Sequence, residues 1–260
     1  MISVSGKKWV EKKISKNSIE KIKQDFDFSE IVSKLIISRN FDNNEIYSIQ
    51  NPSTIQNEFK NNRDFINASL LLEKSINKKE LICIFGDYDV DGSAATSLLA
   101  KFFDYIKHPY FFYIPDRERD GYGPSKSVFE KLILKKPKLI IMVDCGSTSN
   151  QSIAYLNNEK IKSIIIDHHE INKPYPKANV IINPKKNINN QTKDYYCATT
   201  LTYFFLEILI QKIKSSFVLS NYLIYVLLAL VCDVMPLRKI NRYIALNLIK
   251  IGRASCRERV

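Results

Sequence analysis

None of the five cysteines pairs with another at C-x-x-C spacing. Cys83, Cys145, Cys197, Cys232 and Cys256 are scattered and odd in number, which argues against a disulfide framework and against a thiolate zinc site. They read as reduced thiols of a cytoplasmic protein. Long apolar runs are missing too. The N-terminus, MISVSGKKWVEKK, has no stretch of signal-peptide length, and the most apolar run, Leu223 to Val231, is far too short to cross a bilayer. No membrane partner is expected. Internal repeats and low-complexity linkers are also absent. Histidine is scarce, with three in the chain, so two standing side by side carry information.

What is present suits a folded protein. Hydrophobic residues make up 45% and charged residues 25% of 260, enough for one main core with an appendage. The formal charge is +12, an excess that favours polyanionic partners such as nucleic acid. The abundance of Lys, Asn and Ile would give the same excess through AT-rich codon usage, so charge alone does not choose the partner. Arginine is sparse until the last ten residues, IGRASCRERV, which hold three of the nine. That string reads like the in-frame translation of a short-read sequencing adapter. Residues 251–260 are therefore set aside as non-native read-through, and the natural reading frame is expected to continue past residue 250.

Residues 1–70 mix Lys, Asn and short apolar spacings, with a turn signal at Asn51-Pro52, and predict a small helical arm. From Leu81 the pattern alternates apolar runs, turns and helical stretches. Strands are expected at Leu81 to Phe85, Tyr110 to Ile114, Leu139 to Val143, Ser163 to Ile166 and Val180 to Ile182, as continuous runs covered on both faces. Helices are expected near 93–106, 125–135 and 150–159, then near 197–214 and 220–231, with a last one starting near Asn241. The fold class is α/β, with a parallel five-stranded Rossmann-like sheet.

Four polar clusters follow apolar segments, and in such sheets ligands bind beyond the carboxyl ends of the strands. In GDYDVDG, alternate carboxylates of an extended segment put Asp87, Asp89 and Asp91 on one side, an oxygen-donor set for a hard divalent cation. No Glu-terminated loop follows, which sets this apart from an EF-hand. IDHHE places Asp167, His168 and His169 directly after a strand. Imidazole beside carboxylates suits manganese, zinc or iron better than calcium, so two divalent cations are expected, manganese above all, with magnesium as the alternative for the oxygen donors. Asp144 in VDCG can bridge two ions, and Asp233 in CDVMPL ends a buried segment where a carboxylate needs compensation. His108, before Pro109, is read as structural. Phe102, Phe103, Phe111 and Phe112 are read as core.

GDYDVDG, VDCG, DHH and CDVMPL in this order resemble the motifs of the DHH phosphoesterase superfamily, from about Ile82 to Arg242. IPDRERDGYGPS, INP, CATTLTYFF and the pair Asn241-Arg242 resemble RecJ-type single-strand-specific exonucleases within it. Thr200-Leu201 and Ala229-Leu230 stand where that pattern usually has Gly-Val and Gly-Thr. The resemblance implies a catalytic domain over 71–250. It implies two divalent cations on Asp89, Asp91, Asp144, His168 and Asp233, with Asp87 as a further ligand or support.

By the same resemblance His169 faces the scissile phosphate and Arg117 contacts it, the guanidinium fork matching two free phosphoryl oxygens. Tyr122 is the candidate for stacking a base, and Arg119 is read as solvated. The implied reaction is metal-assisted hydrolysis without a covalent protein intermediate, acting 5′ to 3′ on single-stranded DNA in repair and recombination. A single-strand-binding protein is an implied partner. The alternatives are a DHH phosphodiesterase for short RNA or small nucleotides, and an inactive fragment that binds nucleic acid.

Overall fold

The computed structural model describes residues 4–8, 10, 12–50, 57–121, 123–186 and 195–257. The chain divides into two compact units, Met1–Ile55 and Gln56–Val260. The first contains helices α1 (Lys16–Phe26), α2 (Glu30–Ser38) and α3 (Asn43–Gln50). Ser29 caps α2 through its hydroxyl, and α1 packs on α2.

The second unit opens with α4 (Arg63–Asn77), capped by the Asn62 side chain on the amides of Asp64 and Phe65. The boundary expected at residue 70 falls inside this helix. Phe65, Ala68 and Leu72 are buried along one stripe, and α4 packs against later elements of the same unit, so the apolar face and not the arm decides its allegiance.

The elements that follow are β1 (Ile82–Gly86), α5 (Val90–Tyr105), β2 (Tyr110–Tyr113), α6 (Lys126–Ile133) and β3 (Leu139–Val143). Then come α7 (Asn150–Asn158), β4 (Lys162–Ile166), β5 (Val180–Ile182), α8 (Ala198–Lys212), α9 (Leu223–Cys232) and α10 (Lys239–Arg257). Each strand lies within one residue, at either end, of the run its composition predicts. All five are parallel, in the order β2-β1-β3-β4-β5.

Alternation within the strands builds two buried layers. Cys83, Phe85, Ile140, Met142 and Ile165 pack with Phe129 of α6 and Leu156 of α7. The opposite face is covered by α4, α5 and α8, and α9 lies on α5. Thr200, Leu201, Ala229 and Leu230 are all buried within these helices. Covering helices on both faces explain why β1 and β3 are wholly buried runs.

β2 departs from that expectation. It is the edge strand, and Phe112 is 57% exposed, so the reading of Phe112 as core is corrected, while Phe102 and Phe103 are fully buried and Phe111 packs on the core. His108 is buried with its Nε2 at 2.9 Å from the Glu80 carbonyl. Among the described residues no helix is long and apolar enough to cross a membrane. The α10 backbone runs on to Arg257 through part of the arginine-containing segment.

Candidate metal centre

Strand order reverses between β1 and β3, and the loops leaving the carboxyl ends of these two strands open the crevice where open α/β sheets bind ligands. Asp87 follows β1, Asp144 follows β3, and Asp167 with the two histidines follows β4. Sheet topology therefore brings together three clusters that sequence separates by dozens of residues.

GDYDVDG is not extended throughout, so its three carboxylates do not share one side. Asp89 is the N-cap of α5, its Oδ1 accepting the Gly92 amide at 2.9 Å, and the helix starts at Val90. The cap begins the helix three residues earlier than its apolar pattern suggests, so Asp91 sits in the first turn instead of an extended strand. Asp87 and Asp89 group with Asp144, whereas Asp91 turns to a different group with His168 and Asp233; within each trio the candidate donor atoms lie within 4.8 Å of one another. A third such trio is Asp144, His168 and His169.

Gly92 makes this turn feasible. A Cβ there would lie 2.6 Å from both the amide nitrogen and the carbonyl oxygen of Asp87, far inside van der Waals contact. Only glycine lets the first turn of α5 close onto the Asp87 backbone.

Asp91 is buried, and its oxygens accept the amides of Ala198 at 2.6 Å and Thr199 at 2.8 Å. The Thr199 hydroxyl donates back to the Asp91 carbonyl at 2.9 Å. Cys197, the N-cap of α8, gives no side-chain cap. A carboxylate 107 residues away supplies it, favoured by the positive end of the helix dipole.

Asp144 has φ of 62°, the left-handed region that costs an L-residue roughly 1–2 kcal/mol. Its amide donates to the Ile166 carbonyl at 2.9 Å, extending the β3–β4 pairing while the chain turns at Asp144. The carboxylate is 1% exposed, and both of its oxygens are buried without a hydrogen-bond partner, as is Asp233 Oδ2. Burial first, then the neighbouring charges of Asp91 and Asp89, push Asp144 up to about 11. Burial raises Asp233 and Asp87 as well. A cluster of carboxylates with bare inward oxygens fits divalent cations, which compensate the charges that protein donors here leave unmet.

His168 lies at the junction. Its Nε2 is 3.2 Å from Asp144 Oδ1, 3.5 Å from Asp233 Oδ2 and 3.6 Å from Asp91 Oδ2. His169 is more open, its side chain 44% exposed, with Nδ1 2.7 Å from Asp167 Oδ1 and 3.7 Å from Asp144 Oδ1. Asp167 is fully buried and accepts the amides of His168, His169 and Ser147. Burial opposes its ionisation, but the His169 bond and the other donors outweigh burial and bring it to about 2. The same bond raises His169 above its ordinary value. Asp167→Asn is therefore expected to lower the His169 midpoint, which an NMR titration of the imidazole in the metal-free chain would follow; an unchanged midpoint would refute the pairing.

Asn183 completes the support, donating to Ser147 Oγ at 2.8 Å and to the His169 carbonyl at 2.9 Å. Arg117 is exposed in a turn closed by Asp116 and Asp120, and its guanidinium carbon stands 5.3 Å from the ring centre of Tyr88, within the cation motif. The Arg119 side chain is 86% exposed, with a loose 3.9 Å approach to Asp116. Tyr122 lies outside the described residues. Tyr88 carries no signal of its own in the sequence, while Asp167 and Asn183, present in the IDHHE and INP motifs, carry no assigned role there. Only the position of each beside a motif carboxylate, histidine or strand end hinted at them.

The family described as "DHH family, N-terminal domain" matches residues 81–230. Among curated proteins, the single-stranded-DNA-specific exonuclease RecJ of Bacillus subtilis is 26% identical over 70% of this chain and 23% of its own length. The RecJ of Haemophilus influenzae is 29% identical over 72% of this chain and 34% of its own. The chain thus spans about a quarter to a third of the length of these relatives. The crystal structure of RecJ in complex with Mn2+ from Thermus thermophilus shares the fold, with a TM-score of 0.72 at 19% identity, covering 89% of this chain and 33% of that one.

Proposed function

The chain belongs to the DHH family, and from that premise we propose that its second unit is a two-cation phosphodiesterase that hydrolyses single-stranded DNA. The observation that carries this reading is Asp144, whose buried carboxylate oxygens accept no hydrogen bond, grouped with Asp87 and Asp89 and standing 3.2 Å from His168 of the group with Asp91 and Asp233. Asp87, Asp89 and Asp144 would hold one ion. Asp91, His168 and Asp233 would hold the other, with Asp144 shared. Mixed oxygen and nitrogen donors suit Mn2+, with Mg2+ as the alternative.

Two such ions, when bound, acidify a water and offset the charge that develops on the reacting oxygens. His169, tied through Nδ1 to Asp167 and drawn towards its charged form, offers its other nitrogen to a phosphoryl oxygen. Arg117, carried at the rim over Tyr88, offers a planar pair of donors to the same group. Both act where negative charge grows in the transition state. The basic excess of the chain supports a polyanionic substrate, and the RecJ relatives support single-stranded DNA. Cleavage from the 5′ end, a place in repair and recombination, and association with a single-strand-binding protein belong to the proposal by family resemblance.

Incubating the chain with Mn2+ and an end-labelled single-stranded DNA oligomer, an RNA dinucleotide or pyrophosphate tests the reading. The DNA oligomer is expected to be the preferred substrate, and chelation with EDTA should stop its hydrolysis. Preference for either small substrate would reject it. Arg117→Lys keeps the charge but loses the fork, so kcat/KM on the DNA oligomer should fall at least about tenfold with Mn2+ affinity unchanged. Equal activity of that variant would remove Arg117 from the site.

A further inference from the structure

Asn241 stands outside the donor set described above, and its side chain is completely buried. Its amide nitrogen donates to two backbone carbonyls, Pro236 at 2.9 Å and Tyr195 at 2.6 Å. Pro236 lies three residues beyond Asp233, in the loop that leaves α9. Tyr195 lies three residues before Ala198, whose amide, with that of Thr199, holds the Asp91 carboxylate. One side chain therefore ties the loop carrying one candidate ligand to the segment that leads into α8, whose first amides hold another.

Other contacts hold the same strap in place. The Arg238 guanidinium carbon lies 5.5 Å from the Tyr195 ring centre, the Tyr196 hydroxyl donates to Glu58 at 2.6 Å, and Lys239 pairs with Glu58 at 3.6 Å. None of these reaches the Asp233 loop through a backbone carbonyl. Within the Asp233 loop the Met235 amide returns to Leu230 and the Val234 amide to Val231, bonds that stay on the α9 side.

We propose that Asn241 is a positioning residue for the second cation, because its amide links Pro236 to Tyr195 and so sets the separation of Asp233 and Asp91 across His168. This rests on the two-cation reading of the site. The chemistry requires an amide at this position. Both partners are acceptors, so the group facing them needs two N–H donors, which asparagine supplies and aspartate, of the same shape, does not. Aspartate would set an oxygen against two carbonyl oxygens. Serine is too short to span both.

The group formed by Asp87, Asp89 and Asp144 makes no use of this strap and should be indifferent to it. Loss of an outer partner of a metal ligand weakens binding roughly 10- to 100-fold, and that loss should fall on one ion alone.

Mn2+ titration of the full chain, followed by calorimetry and by the electron spin resonance of free Mn2+, tests this with Asn241→Asp and Asn241→Ser. The parent is expected to bind two ions. Each folded variant should keep the tighter or weaker site assigned to Asp87, Asp89 and Asp144 unchanged, while binding at the other weakens at least about tenfold; Asp87→Asn identifies which site is which. Excess Mn2+ should then restore hydrolysis of the DNA oligomer, which a general loss of structure would not permit.

Variants that bind both ions as the parent does would overturn the role of Asn241 and leave the two-cation reading standing. Equal weakening of both ions would also overturn it, as would failure of both variants to fold, since Asn241 would then serve the fold at large. A parent that binds fewer than two ions would remove the two-cation reading and this inference together.

Discussion

Asp144→Asn is expected to lower turnover of the DNA oligomer by at least about a thousandfold while making the metal-free protein more stable. Both effects come from one carboxylate. Its oxygens are buried, accept nothing from the protein, and lie among Asp87, Asp89, His168 and His169. With cations bound, the shared charge is indispensable to both donor groups. Without them it is a burden, because burial and the nearby Asp91 and Asp89 disfavour ionisation and hold the group up at about 11. Mn2+ binding by the Asn variant at parental affinity and stoichiometry would defeat the bridging role.

The pH dependence follows with a definite sign. A carboxyl whose folded pKa lies above its unfolded value of 3.8 keeps a proton that the unfolded chain releases, so its contribution to stability is complete below that value and is lost progressively as pH rises towards 11. Melting of the metal-free parent should therefore fall between about pH 5 and pH 9 more steeply than melting of the Asn variant. Asp167 contributes the opposite slope, confined to acid because its folded value is about 2. Comparing parent with variant cancels that shared term. Parallel melting curves would rule out an uncompensated Asp144.

Gly92→Ala is expected to lower stability by at least about 3 kcal/mol, a drop of roughly 6–12 °C in Tm for a unit of this size. The added methyl would meet the backbone of Asp87 at 2.6 Å on two atoms, and backbone has no rotamer to escape into. Relief requires moving the first turn of α5 away from the end of β1, which separates Asp89 and Asp91 from Asp87. Mn2+ binding should fail together with the melting temperature. Gly121, where a Cβ would meet no atom within 4 Å, has φ of +79°, so Gly121→Ala serves as the control for loss of a glycine that meets no crowding and lies outside the cation-binding groups, with the smaller effect on Tm and on Mn2+ binding expected. A Gly92→Ala protein that melts with the parent would show that the turn relaxes freely.

The sheet was legible because burial on both faces leaves uninterrupted apolar runs, and the motif residues were legible because carboxylates and histidines stand where those runs stop. Other features escaped. The capped start of α5 escaped because the apolar period places the helix from near 93, whereas Asp89 Oδ1 accepts the Gly92 amide and begins it at Val90, so local capping chemistry overrode the apolar period. Phe112 was misplaced because an apolar run does not say whether its strand lies at an edge. The tie between Asp91 and α8, and that of Asn241 to Tyr195 and Pro236, join residues remote in the chain through backbone atoms. Such partners have no side-chain identity for a sequence to display.

The hold of Asp91 on α8 has an evolutionary corollary. A mutation that removes this acid not only empties a coordination position but also strips the start of a long internal helix of the carboxylate that accepts its first two amides, a penalty on folding that losing Asp144 would not bring. Descendants that abandon chemistry while keeping the architecture should therefore shed Asp144 early and retain Asp91. Persistence of the acid at position 91 in a distant homologue is then testimony to an intact scaffold, and the residue at 144 is the one to inspect for a working enzyme.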